Sequence, residues 1–231
     1  MSVKSAIAEI GSEVEALFEA LQPVADGFAR VAGLGGALVR EDLLDVRGAI
    51  SDVFAAHDGF IAGCGVIPIP HLLDDAPYWM EWFFSVQGRE PEALRVNLEP
   101  NAPDFFDYTA ADWFVTPLRE RQRHIAGPYV DYVCTNEYAT TLALPVEVRG
   151  EFVGIAALDV TVTGWESRIL PLLRGIAEPM TLTNSRGRVI ATTSAFLSPG
   201  QRVELSGGVG IAGSTDFGWQ LVEDAAILVE H

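Results

Sequence analysis

An α+β fold is predicted by three features of the sequence: an amphipathic helical start, hairpin signatures through the middle, and no strand–helix alternation of the kind that builds a doubly wound parallel sheet. The expected order is N-terminal helices packed on an antiparallel sheet, followed by a helix and a smaller β-rich subdomain. In residue numbers this divides the chain into a helical region (1–57), a main lobe (58–177) and a small second lobe (178–231).

Between Ser5 and Leu21 the apolar residues Ile7, Ile10, Val14, Leu17, Phe18 and Leu21 recur at three- and four-residue spacing, which places them on one helix face. Pro23 is expected to interrupt this helix, because its ring removes a backbone donor. Gly33, Gly35 and Gly36 then mark a turn before a second helix over Arg40 to Ala56, with Glu41 and Asp42 suited to its first turn. Phe60 to Pro68 is apolar and punctuated by glycine, a buried strand ended by Pro68 and Pro70. Tyr78 to Val86 reads as an aromatic strand, and Asn101 to Asp112 as a loop. The runs Thr140 to Val148 and Glu151 to Val162, joined by Arg149-Gly150, predict a hairpin. Trp165 to Ile176 reads as a helix that Pro171 would kink. Met180 to Thr193 reads as a second hairpin around Asn184 to Gly187, and Val203 to Leu205 and Trp219 to Val222 as further short strands.

Apolar residues make up 49% of the 231 positions, enough for a sizeable core. Lys plus Arg total 15 against 32 Asp plus Glu, and a net charge of −17 repels a phosphate backbone, which argues against a nucleic-acid partner. Glu9, Glu13, Glu15 and Glu19 break the continuous apolar stretch that a signal peptide or membrane span requires, so the expectation is a cytoplasmic chain without membrane association. Cys64 and Cys134 form no CxxC and are expected to be reduced. Gly208 to Gly213 (GVGIAG) has the spacing of a dinucleotide loop but lacks the following helix and acidic residue, and reads as a β connection. His57, His71, His124 and His231 have no metal-ligand spacing, so neither a metal nor a cofactor is expected.

The stretch from Asp107 to Val162 carries the chemical message. It contains Asp107-Tyr108, Trp113-Phe114, Gly127 to Asp131 (GPYVD), Leu144-Pro145-Val146 and Gly154 to Val160 (GIAALDV). Tyr129 and Asp131 are two apart on a predicted strand and share a face. Asp159 shares a face with Ile155, Ala157 and Thr161, while Leu158 and Val160 point into the core. Gly154, Ala156 and Ala157 are small and would leave room for a guest. Two carboxylates in one cavity call for a cation between them. Trp113, Tyr129 and Trp79 or Trp82 offer aromatic faces, each worth about 0.5 to 2 kcal/mol to an ammonium. Each group also has an ordinary structural use: a turn bond for Asp131, backbone amides for Asp159, core packing for the aromatics.

In this order and at these intervals the segments resemble the ligand-binding module of the Cache family, PAS-like small-molecule sensor domains. The resemblance is strongest from Gly59 to Trp165 and looser over Met180 to Val222, which is similar to a reduced second lobe of a double-Cache arrangement. It implies a ligand-binding sensor and not an enzyme, with Trp113, Tyr129, Asp131, Asp159, Tyr108, Trp82 and Trp79 around the ligand. In members of the family that bind amino acids, an arginine two residues before the tryptophan grips the ligand carboxylate. Here that position is Ala111. The resemblance therefore implies an amine or other cationic metabolite, with the signal passing in trans to a separate protein partner. The N-terminal helix is the expected surface for that partner or for a homodimer. Three alternatives stay open at this point: an amino acid or carboxylate held by Arg119, Arg121 or Arg123; an enzyme using Asp131, Asp159 and His124 as acid–base groups on a small amine; and a structural subunit with a dry interior between Trp113 and Asp159.

Overall fold

Helix α1 (Val3–Gly33) runs straight through Pro23, where the sequence suggested an interruption. In this computed structural model, which describes residues 1–57, 59–133, 136–205, 211–214 and 217–228, Pro23 sits on the exposed face while Val24, Ala25, Phe28 and Val31 continue the buried stripe. Interior proline costs a helix about 3 kcal/mol, and a single buried Phe or Val returns about 1.5 to 3 kcal/mol. The longer stripe wins. A 3-10 turn (Arg40–Val46), in which the Asp42 side chain accepts from the Val39 amide at 2.8 Å, leads into α2 (Arg47–Ala56).

The large sheet is built from β1 (Gly63–Pro68), β2 (Glu81–Phe84), β3 (Glu92–Ala93), β4 (His124–Val130), β5 (Tyr138–Val148) and β6 (Glu151–Thr161), in the order β3-β2-β1-β6-β5-β4. All its pairings are antiparallel. The β5–β6 hairpin turns through Arg149 (φ 55°) and Gly150 (φ 84°), the double left-handed geometry that matches strand twist in a two-residue turn. Helix α3 (Asp112–Glu120) precedes β4, and α4 (Val162–Leu173) follows β6.

The alternation along β6 sorts the two faces. Ala156, Leu158 and Val160 pack toward α1 with Cys64, Val66 and Leu142, whereas Ile155 and Ala157 face away from it with Ile67 and Ala143. On that second face the rings of Tyr108, Phe114 and Phe152 follow one another edge to face at 5.2 and 6.1 Å. They fill the end of the sheet near Ile67 and Ile155. The end near Asp159 is left open.

Strands β7 (Met180–Thr183), β8 (Val189–Thr192), β9 (Glu204–Leu205), β10 (Ile211–Ser214), β11 (Gln220–Glu223) and β12 (Ile227–Leu228) follow in the chain. Four of them form a second sheet in the order β10-β11-β7-β8, and β9 pairs with β12. The second sheet docks through Trp219, whose ring meets Trp165 of α4 edge-on at 5.1 Å, while the Trp165 indole donates to Thr140 at 2.7 Å. One hydrophobic cluster contains residues of α1, the large sheet, α4 and the second sheet, so the three regions share a core. Of the GVGIAG segment, Gly208 to Gly210 lie outside the described residues, and Ile211 onward is strand, not helix. Cys64 is buried as a free thiol and burial pushes its pKa up, whereas Cys134 lies outside the described residues. Among the described residues no helix is long and apolar enough to cross a membrane.

Candidate functional site

The open end of the sheet forms a cavity of about 410 Å³. Its Trp82 wall is positioned by two residues without side chains. A Cβ at Gly63 would fall 2.8 Å from the Trp82 indole, and one at Gly65 would run into the Glu81 carbonyl, so these glycines let the Trp82 ring lie over β1. The small residues expected to leave room were Gly154, Ala156 and Ala157; none lines the cavity, and only Ala157 lies among the aromatic residues on that face of the sheet. Ala156 faces α1, and Gly154 (φ 146°) is where β6 passes close to the Ile67 carbonyl.

Strand β4 aims the next residue. Ala126 pairs with Thr141 and Tyr129 with Ala139, so three steps on β4 answer two on β5. Gly127, at φ 101°, provides this bulge, and a Cβ there would lie 2.7 Å from the Ala139 carbonyl. In an unbroken strand Ala126 and Tyr129 would face opposite ways; the bulge brings both to the cavity side. Asp131 follows immediately, its amide donating to the Glu137 carbonyl (2.9 Å) and its Oδ1 accepting from the Val133 amide (3.0 Å). The turn bond anticipated as its structural role is therefore present, and the side chain still lines the cavity.

Asp159 sits on β6 between Gly63 and Thr141. Thr141 donates to Asp159 Oδ1 at 2.6 Å, which leaves the Tyr129 hydroxyl to donate to Thr141 at 2.5 Å. Asp131 and Asp159 are only 7% and 6% exposed, so both carboxylates have lost most of their hydration. Burial lifts the Asp159 pKa to about 7; the Thr141 bond opposes the rise and the charge of Asp131 adds to it.

The structure thus brings Trp82, Trp113, Tyr129, Asp131 and Asp159 to one cavity, together with Asp107, Thr141 and Ala111. Two expected residues lie elsewhere. Tyr108 is fully buried in the aromatic layer, where its hydroxyl donates to the Pro68 carbonyl at 2.9 Å. Trp79 donates to Glu81 at 3.2 Å beneath the Arg40 guanidinium, 5.0 Å from its ring. Both have donors satisfied away from the cavity.

The substitute cations also lie elsewhere. Arg119 bonds Glu120 (2.9 Å), Arg121 bonds Glu147 (3.5 Å), and Arg123 grips Glu15 with two bonds of 2.6 Å. His124 stands 3.3 Å from Asp112 and lines a different groove, so the acid–base trio with Asp131 and Asp159 is not assembled. Thr141 was not singled out from the sequence. Its signal is the Thr140-Thr141 pair lying across the hairpin from Asp159, which requires the register to be known.

No family model matches the chain, and no curated protein does. Solved structures do. A methyl-accepting chemotaxis protein X superposes with a TM-score of 0.61 at 15% identity, covering 88% of this chain and 77% of that one. The chain has the fold of receptor sensory domains. The extracellular domain of the histidine kinase soHK1S-Z6 matches with a TM-score of 0.58 at 16% identity, over 92% of this chain and 88% of that one. The ligand-binding domain of the Campylobacter jejuni chemoreceptor Tlp3, in complex with L-norvaline, matches with a TM-score of 0.55 at 15% identity, over 84% and 68%. The kinase match is an extracellular domain and the Tlp3 match a ligand-binding domain, and the enzyme alternative gains nothing from them.

The cytoplasmic expectation is corrected by the same finding, since domains of this fold include extracellular ones. The glutamates behind that expectation have a local cause. Glu9 and Glu19 occupy the exposed face of α1, opposite its buried stripe, as an amphipathic helix requires in any compartment.

Proposed function

We propose that the chain is a sensor domain of the Cache type and that its cavity holds a small organic cation. One observation carries the reading: the cavity is lined by three aspartates, Asp107, Asp131 and Asp159, and among the described residues by no Arg, Lys or His. Tlp3 is seen with L-norvaline and L-valine, but a free carboxylate in this cavity would meet like charges and no cation, and Ala111 stands where the resemblance would place the clamping arginine. An ammonium instead neutralises Asp131 and Asp159 and presents its methylenes to Trp82, Trp113 and Tyr129, with about 0.5 to 2 kcal/mol from each favourable ring face.

Binding would also reorganise the mouth. Asp131 holds the turn that follows it through the Val133 amide and through its own carbonyl, which accepts from Asn136 at 2.7 Å. Tyr132 and Val133 from that turn line the cavity. Charge arriving at Asp131 therefore acts on a segment at the surface, where a protein partner can read it. Helix α1 lies against both sheets and links the lobes, and a partner or second copy docking there would meet its polar face, since the apolar stripe is already buried. An extracytoplasmic setting agrees with this assignment.

Calorimetric titration with putrescine, choline and phenethylamine, against L-valine and succinate, tests the reading. Binding of at least one amine with no heat from succinate is expected. Binding of L-valine or succinate in preference to every amine overturns the cationic ligand.

A further inference from the structure

A groove of about 530 Å³ lies beside the cavity, between β4 and the second sheet. We propose that it is a second site, for a small organic anion carrying a carboxylate or phosphate, held by Arg188 and Arg202.

The argument begins with the pairing of these two arginines. They stand directly opposite one another in an antiparallel bridge outside the named strands. The flanking bonds run from the Val203 amide to the Gly187 carbonyl and from the Val189 amide to the Gln201 carbonyl, each 2.8 Å. That pattern makes Arg188 and Arg202 a non-hydrogen-bonded pair, the arrangement that brings opposed side chains closest. Like charges in that relation repel and destabilise a ladder. In a chain with 32 acidic residues against 15 Lys plus Arg, a carboxylate to relieve the pair is easily supplied. None is supplied: among the described residues no carboxylate lies within ion-pair distance of either guanidinium.

The surroundings fix the pair in place. Asn184 donates to the Gly127 carbonyl at 2.6 Å and accepts from the Arg186 and Arg188 amides, both at 2.9 Å, which ties the β7–β8 turn to the bulge of β4. Arg188 Nη1 donates to the Gly200 carbonyl at 2.6 Å, which orients its guanidinium while leaving other donors available. The remaining cations of the groove, Arg186 and His124, are already turned to Asp112, at 3.9 and 3.3 Å. Two planar forks side by side, without a carboxylate partner among the described residues, fit the oxygens of a carboxylate or phosphate, each fork being able to bind bidentately. Trp113, Phe217 and Trp219 supply apolar walls, so the anion carries an organic body. Ala111, Trp113 and Tyr129 line both the groove and the cavity, so occupancy of one is felt in the walls of the other.

Calorimetric titration of the full chain with citrate and with inorganic phosphate at low ionic strength provides the test, with Arg202→Gln and Arg188→Gln as variants. Citrate is expected to bind, and each substitution to weaken it at least tenfold. Because the Gly200 bond makes Arg188→Gln a folding risk, the exposed Arg202 carries a second measurement. Without citrate, Arg202→Gln should melt at or above the wild-type temperature, as the repulsion is relieved; with saturating citrate it should melt below. No citrate binding, binding unchanged in Arg202→Gln, or a lower melting temperature for Arg202→Gln with and without citrate alike would each overturn the site. Binding of phosphate equal to that of citrate would show an inorganic anion site and overturn the organic body.

Discussion

Thr141 donates a 2.6 Å hydrogen bond to Asp159 from directly across the β5–β6 ladder, and among the described residues it is the one side chain that bonds this buried carboxyl. A single neutral donor offsets only part of the desolvation of an ionised carboxylate, which is why Asp159 holds its proton to about pH 7.

The first prediction is a pH dependence of stability. Because the folded carboxyl titrates near 7 and an unfolded aspartate near 4, the folded state retains a proton that the unfolded state loses between those values. The contribution of this group is intact below about pH 4 and is lost as the pH rises toward 7. Asp159→Asn removes the loss, so at pH 8 the empty variant should melt above the wild type by several degrees, about 2 to 4 °C per kcal/mol for a chain of this size. The gap should close toward pH 4.5. Scanning calorimetry at the two pH values checks this, and a variant that melts below the wild type at pH 8 contradicts it.

Ligand affinity should follow the same titration with the opposite benefit. A cation prefers the ionised carboxylate, so amine affinity should fall as the pH drops below 7, approaching tenfold per unit, with proton release on binding. Calorimetry in buffers of different ionisation enthalpy measures the proton count directly. A pH-independent affinity between 5.5 and 8 would remove Asp159 from the site.

Asp131→Asn should weaken amine binding by about 2 to 5 kcal/mol, the usual cost of truncating one partner of a buried charge pair. The fold should survive, because an asparagine Oδ1 can still accept from the Val133 amide as Asp131 does. Unchanged affinity in a folded Asp131→Asn protein would assign this carboxylate to the turn alone.

Ala111→Arg places a permanent cation in the cavity lining at the start of α3. Amine affinity should drop at least tenfold through repulsion, and L-valine should become a ligand through a fork-to-carboxylate contact. A variant that keeps wild-type amine affinity would show that the side chain turns away from the cavity.

Gly127→Ala should cost about 1 to 3 kcal/mol in stability from its left-handed backbone and lose amine binding as well, since its Cβ would press on the Ala139 carbonyl and displace Tyr129. Gly150→Ala is the control. Its backbone is also left-handed, but no atom lies within 4 Å of a Cβ there, so it should lose stability without losing affinity. Equal affinity losses in the two variants would detach the bulge from the site.

Periodicity made the elements legible, and the Arg149-Gly150 turn was readable because few residue pairs suit a two-residue hairpin. Register was not. Counting back from that turn in an ideal ladder sets Thr140 opposite Asp159, but the pairing steps by one residue between Val146 and Glu147, and Thr141 takes the place instead. The same limit hid the bulge at Gly127, since a glycine in a strand signals a bulge without saying which neighbour it re-aims. Pro23 misled for a different reason: propensity weighs the residue alone, while its cost here is offset by packing farther along α1. Trp79 and Trp82 could not be separated by type, because the strand boundary between them decides which one faces the cavity.

Gly63 and Gly65, which seat the Trp82 ring in the cavity wall, couple mutation on β1 to the space left for a guest. Every substitution at those positions adds atoms against Trp82 or the Glu81 carbonyl, so drift there reaches a guest through the Trp82 ring. Direct enlargement comes from lining side chains that can be trimmed, such as Met80. Space for the guest is therefore adjustable at positions such as Met80 that carry neither the charge nor a ring face for the proposed cation, so its size and its charge can be selected independently.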